Sequence, residues 1–190
     1  MTINNKKSIN KLAIISTLLL SSCSSMPDAL FPNGRPASHY EKMTVDQISS
    51  KVKVEYNDTE NQTEYRSPKI ESWKTRYLLR GWRVDKDKKV VNQLYLTLFY
   101  NDRSWRNYNS AISNGIKLKV KSLEKEVSSC SMQVIGYSCN YMETVGVSLP
   151  SGYLDNSKDG VRFRISSKAG KSKSVNLSGK YVKAYLSRLN

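Results

Sequence analysis

Apolar residues alternate one in two along most of this chain. From Lys51 to Tyr56, Val52, Val54 and Tyr56 fall on one side and Lys51, Lys53 and Glu55 on the other. A period of two is that of a half-buried β-strand. The polar stretch 57–69 then reads as a loop. Tyr77–Val84 and Val90–Tyr100 flank the charged run Asp85–Lys89 and predict a β-hairpin. Its second strand places Leu94, Leu96, Leu98 and Tyr100 on one face and Tyr95, Thr97 and Phe99 on the other. Two largely apolar faces predict a central strand covered on both sides. Ile116–Lys121 is the cleanest alternation in the chain. Glu126–Ser131 and Cys139–Leu149 predict further strands, and Val161–Ile165 with Ser174–Leu177 predicts a last hairpin around Lys168–Lys171.

Three segments break the alternation. Thr44-Val45-Asp46-Gln47 has the pattern of a capping box and predicts a short helix to about Ser50. Asp102–Asn114 carries Trp105, Tyr108 and Ile112 and predicts a short helix near 103–113, ended by Gly115. From Ser178, apolar residues fall at Tyr181, Val182, Tyr185, Leu186 and Leu189, with Lys180, Lys183 and Arg188 outward. That spacing is helical and predicts a C-terminal amphipathic helix capping the sheet. About eight short strands separated by turn signals predict a mainly β fold, an antiparallel β-sandwich or a partly open barrel. No internal repeat is visible.

The length of 190 residues suits one domain with appendages. Tyrosine is common, with 12 copies against 3 Phe, and favours strands and half-wet surfaces. Lys and Arg total 31 against 16 Asp and Glu, a formal charge of +15.

The N-terminus differs from the rest. Residues 1–11 carry Lys6, Lys7 and Lys11 and no acid, and Leu12–Leu20 is a short apolar run. Leu20-Ser21-Ser22-Cys23 follows. Basic, then apolar, then small residues is the layout of a secretory signal. The apolar run is far below the roughly 20 residues that span a bilayer, so residues 1–22 read as a segment to be removed.

The four residues ending in Cys23 resemble the bacterial lipobox. The resemblance covers residues 1–24 and implies a bacterial lipoprotein: the Cys23 thiol receives a diacylglycerol and a dedicated peptidase cuts before it. Two or three acyl chains make such an anchor effectively permanent. By the same resemblance, Ser24 is compatible with onward transport to the outer membrane, so the expected location is its periplasmic face. The alternative is the external face of a bacterial plasma membrane. Residues 23–40, which hold Pro27, Pro32, Pro36 and Asn33-Gly34, read as a flexible tether. Its Ala29-Leu30-Phe31 patch can dock on the domain or on lipid. Residues 41–190 then form a single β-rich domain.

Of the three cysteines, Cys130 and Cys139 remain after Cys23, an even pair in an oxidising compartment. They are expected to form a disulfide, with Gly136 supplying the chain reversal. No Cys-x-x-Cys exists and the one histidine, His39, sits at the end of the tether, which disfavours a redox pair or a metal site. No cofactor is expected.

Catalytic chemistry finds little footing. There is no glycine-rich phosphate loop. Glu124, Glu126 and Glu143 would suit a wall-glycan hydrolase if they met in a cleft, but Glu124 and Glu126 among Lys121 and Lys125 look like a solvated strand end. Trp73, Trp82 and Trp105 would suit a glycan platform if they shared a surface. Core is the commoner place for such aromatics, with Trp82 expected inside and Trp105 exposed.

Charge placement carries more information. Lys117, Lys119 and Lys121 point outward from one strand and Arg162 and Arg164 from another, with Arg76, Arg80, Arg83, Lys168, Lys171 and Lys173 near in sequence order. If these strands share a sheet, one face attracts anionic partners. The competing reading is plain solubilising charge that also protects sheet edges. The expected function is a membrane-anchored, non-enzymatic envelope lipoprotein that binds a protein partner. The alternative is a binder of anionic envelope polymer or lipid headgroups through the basic face, and a cell-wall hydrolase ranks third. No nucleic-acid-binding module is recognisable, and none is expected as a partner.

Overall fold

The computed structural model describes residues 34–84, 86, 89–133 and 136–189. Cys23, the signal-like segment and most of the tether lie outside them. Twelve strands and three α-helices follow in order: β1 (Arg35–Pro36), α1 (Ala37–Glu41), α2 (Val45–Ser49), β2 (Lys53–Asn57), β3 (Gln62–Arg66), β4 (Ile70–Ser72), β5 (Thr75–Val84), β6 (Val90–Asp102), β7 (Tyr108–Ser113), β8 (Ile116–Leu118), β9 (Val120–Gln133), β10 (Gly136–Leu149), β11 (Gly160–Ser167), β12 (Ser172–Ser178) and α3 (Gly179–Leu186).

The strands form two facing sheets and no closed barrel. The larger runs β1-β4-β5-β6-β10-β9, with the β2–β3 hairpin joined to β5 through β3. The smaller runs β12-β11-β7-β8. All pairings are antiparallel except β1 with β4. The core lies between the sheets. Leu79, Leu94, Leu96, Val145 and Val147 of the large sheet are buried in one cluster with Phe163, Ile165, Val175, Leu177, Ala111 and Leu118 of the small one. Alternation therefore decided most of these strands: every second side chain leaves water.

The helix α3 closes one side of the sandwich. Tyr181 and Tyr185 are fully buried. The Tyr181 hydroxyl lies 2.6 Å from Ser67 Oγ and donates to the Pro68 carbonyl at 2.5 Å, and Tyr185 donates to Asn92 Oδ1 at 3.0 Å. Burial pushes both phenols well above the ordinary tyrosine range. The capping box of α2 is formed: Gln47 N–H donates to Thr44 Oγ1 at 3.2 Å and Thr44 N–H to Gln47 Oε1 at 2.9 Å.

Several expectations need correction. No helix forms near 103–113: Tyr108–Ser113 is strand β7, and Asn114-Gly115, both at positive φ, make the β7–β8 turn. The polar stretch 57–69 contains strand β3, whose turn is built by Asn57 Oδ1 accepting from Thr59 N–H at 3.0 Å and Glu60 N–H at 3.2 Å. In β2 every side chain is exposed, Val54 and Tyr56 included, because β2 pairs only with β3, beyond the core. Residues 35–40, placed by sequence in the tether, form β1 and all of α1 but its last residue, Glu41. Tyr40 is buried there, donating to the Lys69 carbonyl at 2.9 Å with its ring edge-on to Tyr181. The outer face of β6 is covered by cationic side chains, and among the described residues by no other element. Arg76 lies 4.6 Å over Phe99, and Arg80 lies 4.4 Å over Tyr95 and 4.9 Å over Trp82. Arg80 also donates to Gln93 Oε1 at 2.9 and 2.7 Å. These guanidinium groups keep aromatic faces from bulk water while remaining partly hydrated themselves.

Candidate functional site

The β9–β10 hairpin is the longest in the fold and forms an arm at one edge of the large sheet. β9 pairs on one side with β10, and among the described residues no strand pairs with its other side, which is an edge of the sheet. Its side chains are exposed from Lys121 to Met132. Cys130 and Cys139 stand directly opposite one another across the two strands and are joined by a disulfide. Cys139 is also level with Asp102, the last residue of β6, so the bridge sits where the third strand ends. Beyond it the hairpin consists of two strands alone.

One face of this arm continues the core face. Tyr141, Cys139 and Tyr137 alternate on β10 opposite Val127, Cys130 and Met132 on β9. Tyr141 is buried, stacked at 5.4 Å on Tyr100 and edge-on at 4.6 Å to Trp105. Outward along the same face the small sheet no longer provides cover: Val127 is 44%, Tyr137 56% and Met132 77% exposed. The result is an apolar strip beside an open strand edge. The edge is blunted by Lys121, Glu124, Lys125 and Glu126 and by register shifts near Asn140/Tyr141 and Thr144/Val145, the devices that discourage indiscriminate strand pairing.

At the base of the arm Glu143 is buried on the inner face. Its carboxylate accepts from Asn107 N–H at 2.9 Å, from Tyr108 N–H at 3.1 Å and from the Tyr100 hydroxyl. Burial, and the Glu143 charge beside it, hold the Tyr100 phenol well above its ordinary range. Glu124 and Glu126 pair with Thr144 and Met142 on the opposite face of the sheet, so the three carboxylates are not brought together. Among the described residues no group of three or more His, Cys, Asp and Glu has metal-binding geometry. His39 lies in α1, its ring edge-on to Tyr40 at 5.2 Å.

A second feature is a groove of about 780 Å³ between the β1–β4 edge of the large sheet and the β12 edge of the small one. Ile70, Tyr77, Val175, Leu177 and Tyr181 line its floor. Tyr77 donates to the Asn176 carbonyl at 3.1 Å, so β12 turns that backbone edge into the groove. Trp73, 76% exposed, stands at the rim with Lys74 4.7 Å and Lys173 5.6 Å from its ring. Both tryptophan expectations need correction. Trp73 is the exposed one, Trp82 is half-buried under Arg80, and Trp105 packs against the core. The three share no surface: Trp73 and Trp82 mark opposite ends of β5, and Trp105 lies beside Tyr141.

The sequence-predicted basic residues divide between the sheets. Arg164 pairs with Ile112 and Ile112 with Lys117, making one row across the outer face of the small sheet, with Arg162 next to it on β11. Lys121 belongs to β9 in the large sheet, and Lys119 lies between β8 and β9, its carbonyl accepting from Ser148 N–H at 2.9 Å. Arg83 turns toward Tyr65, 5.6 Å from its ring. Sequence reasoning missed the apolar strip, although the period-two placement of Val127, Met132 and Tyr137 around the cysteines was its available signal.

No family model matches the chain, and no curated protein or solved structure matches it. The site therefore rests on its own geometry.

Proposed function

We propose that this chain is an exported bacterial lipoprotein, anchored through Cys23 on the periplasmic face of the outer membrane, that serves as a non-enzymatic, protein-binding accessory of the cell envelope. The β9–β10 arm is its binding element. The observation that carries this reading is the coincidence, on one stapled hairpin, of a free strand edge with an exposed apolar strip through Val127, Met132 and Tyr137. An extended segment of a partner protein adding to β9 gains main-chain hydrogen bonds, and its alternate side chains cover the strip. Exposed apolar surface next to a polar rim is the usual mark of such a contact. The anchor reading is supported by residues 1–24 of the sequence.

The test places a photo-crosslinking amino acid at Val127, at Met132 and, as a control, at Asp155 on the far side of the fold, each in the full-length chain in its native envelope. One discrete protein adduct from Val127 and Met132 but not from Asp155, lost when Leu123, Val127 and Met132 are changed together to Lys, is expected. Absence of an adduct from both arm positions overturns the assignment of the arm. Acyl labelling of the parent chain and of Cys23→Ala tests the anchor separately.

A further inference from the structure

We propose that the outer face of the small sheet rests on an anionic phospholipid surface, with Arg162, Arg164 and Lys117 engaging headgroup phosphates and Ile112 entering the interface between them. This deepens the lipoprotein reading and rests on it for orientation, but the surface itself is read from the fold.

The face has an unusual charge balance. Side chains that alternate outward here are Ser172, Ser174 and Asn176 on β12, Arg162, Arg164 and Ser166 on β11, Ser110 and Ile112 on β7, and Lys117 on β8. None is acidic. Arg162, Arg164 and Lys117 are exposed and, among the described residues, none takes part in an ion pair, unlike Arg66, Arg76 and Arg106, which pair with Glu64, Glu71 and Asp102. In their midst Ile112 is 52% exposed, although the same strand buries Ala111 and Ser113. A shallow depression of about 540 Å³ lies between Ile112, Arg162, Arg164 and Ser174. Basic side chains beside one exposed branched apolar residue match a membrane interface, where cations meet phosphates and a short apolar group replaces interfacial water.

The place of the N-terminus agrees. Pro36 of β1 and Ser174 of β12 both line the groove, and Ser174 is the direct pairing partner of Arg164. The chain leading from Cys23 therefore enters the fold at the edge next to the basic face. From Cys23 to Gly34 it spans at most about 40 Å when extended. A lipid at Cys23 therefore lies within about 40 Å of this edge, close enough for the face that carries Arg164, Arg162 and Lys117 to reach the bilayer. The arm, at the opposite edge of the large sheet, is left free for a partner.

The experiment uses the full-length lipoprotein with Ile112→Trp, reconstituted into vesicles of brominated phosphatidylcholine, with or without phosphatidylglycerol. The emission added by the new tryptophan is expected to be quenched in the anionic vesicles, to recover at high salt, and to escape quenching when Lys117, Arg162 and Arg164 are all changed to Gln. Each cation near an anionic surface strengthens partition about fivefold, so the triple change weakens contact on the order of a hundredfold. In the unmodified protein, Lys117 is expected to react with an acetylating reagent about tenfold more slowly on anionic than on neutral vesicles, while Lys53 on β2 reacts equally on both. Equal quenching and equal Lys117 reactivity on neutral and anionic vesicles would overturn the proposal. So would protection of Lys117 by a soluble anionic polymer with none from vesicles. Flotation on neutral vesicles reports the anchor alone, so a chain that floats only on anionic vesicles removes the anchor reading and leaves the face standing.

Discussion

Tyr108 N–H donates to the buried carboxylate of Glu143 at 3.1 Å, and this contact sets where the small sheet begins. Asn107, at φ +55, turns the chain so that its own N–H and that of Tyr108 both point at Glu143, and β7 starts at the next step. The Tyr100 hydroxyl, donating to the same carboxylate and accepting from Arg106 N–H at 3.1 Å, fixes the loop from its other side. Glu143→Ala leaves these donors without an acceptor in a buried place, where each costs about 1–3 kcal/mol. A loss of about 3 kcal/mol or more is expected, read as a lower urea midpoint at unchanged slope. Glu143→Gln keeps one acceptor oxygen and is expected to lose roughly half as much.

The disulfide at Cys130–Cys139 marks the boundary between a three-stranded and a two-stranded region, since Cys139 also pairs with Asp102 at the end of β6. Closing so short a loop stabilises by about 2–3 kcal/mol. Because, among the described residues, the arm outside the bridge pairs with no third strand, that energy should be lost locally. Reduction, or Cys130→Ser with Cys139→Ser, is expected to speed amide exchange in residues 131–138 by a factor of about 30 or more. Leu94–Leu98 of β6 should be unaffected. Uniform acceleration through both sheets would show that the arm and the core open together.

Much of the fold was legible because burial imposed its period on the sequence. Val161, Phe163 and Ile165 alternate with Arg162 and Arg164, and the alternation is real in β11. Tyr181, Val182, Tyr185 and Leu186 fall on one helical stripe and are all buried. Other signals were ambiguous for physical reasons. Trp105, Tyr108 and Ile112 have helical spacing, but Ile112 faces solvent and the acceptor that dictates strand geometry, Glu143, lies far along the chain. Val54 and Tyr56 alternate faithfully with nothing to pack against, because a strand's period does not say whether its neighbour reaches the core. Lys117 and Lys121 share one sequence alternation, yet the chain crosses from the small sheet to the large one at Lys119. The basic row was therefore half visible. Arg162 and Arg164 were placed on an outward face, and the partner that completes the row, Ile112, was not.

Helix propensity and packing disagree at Gly179, the first residue of α3. Alanine in a helix is favoured over glycine by about 1 kcal/mol. A Cβ at Gly179, however, would lie 2.5 Å from the Lys158 carbonyl oxygen and 2.9 Å from the Asp159 carbonyl carbon, both backbone atoms. These belong to the turn leading into β11 and cannot move without displacing Gly160, which pairs with Ser178. Overpacking costs about 1–3 kcal/mol and should win. Gly179→Ala is expected to lower the thermal midpoint, by several degrees for a domain of this size. A raised midpoint would mean that the 158–160 turn yields freely.

Alkaline pH should unfold this protein through its buried tyrosines, and Tyr77 shows the sign. Burial pushes its phenol from the ordinary 10 up to about 12, opposed by the hydrogen bond it donates to the Asn176 carbonyl. Between those values the unfolded chain releases the proton and the folded one retains it, so stability falls as pH rises. Below pH 10 both states hold the proton and the effect vanishes. By pH 12 the loss from Tyr77 alone reaches about 2 kcal/mol. Tyr100, Tyr181 and Tyr185 are displaced in the same direction and add to it. Tyr77→Phe is expected to be less stable than the parent at pH 7, where the bond to Asn176 is lost. The difference should narrow steadily above pH 10, because the variant no longer has that phenol to ionise. Urea midpoints of the two proteins at a series of pH values from 7 to 11.5 would show it, and a constant difference across the series would place the alkaline sensitivity in the other tyrosines.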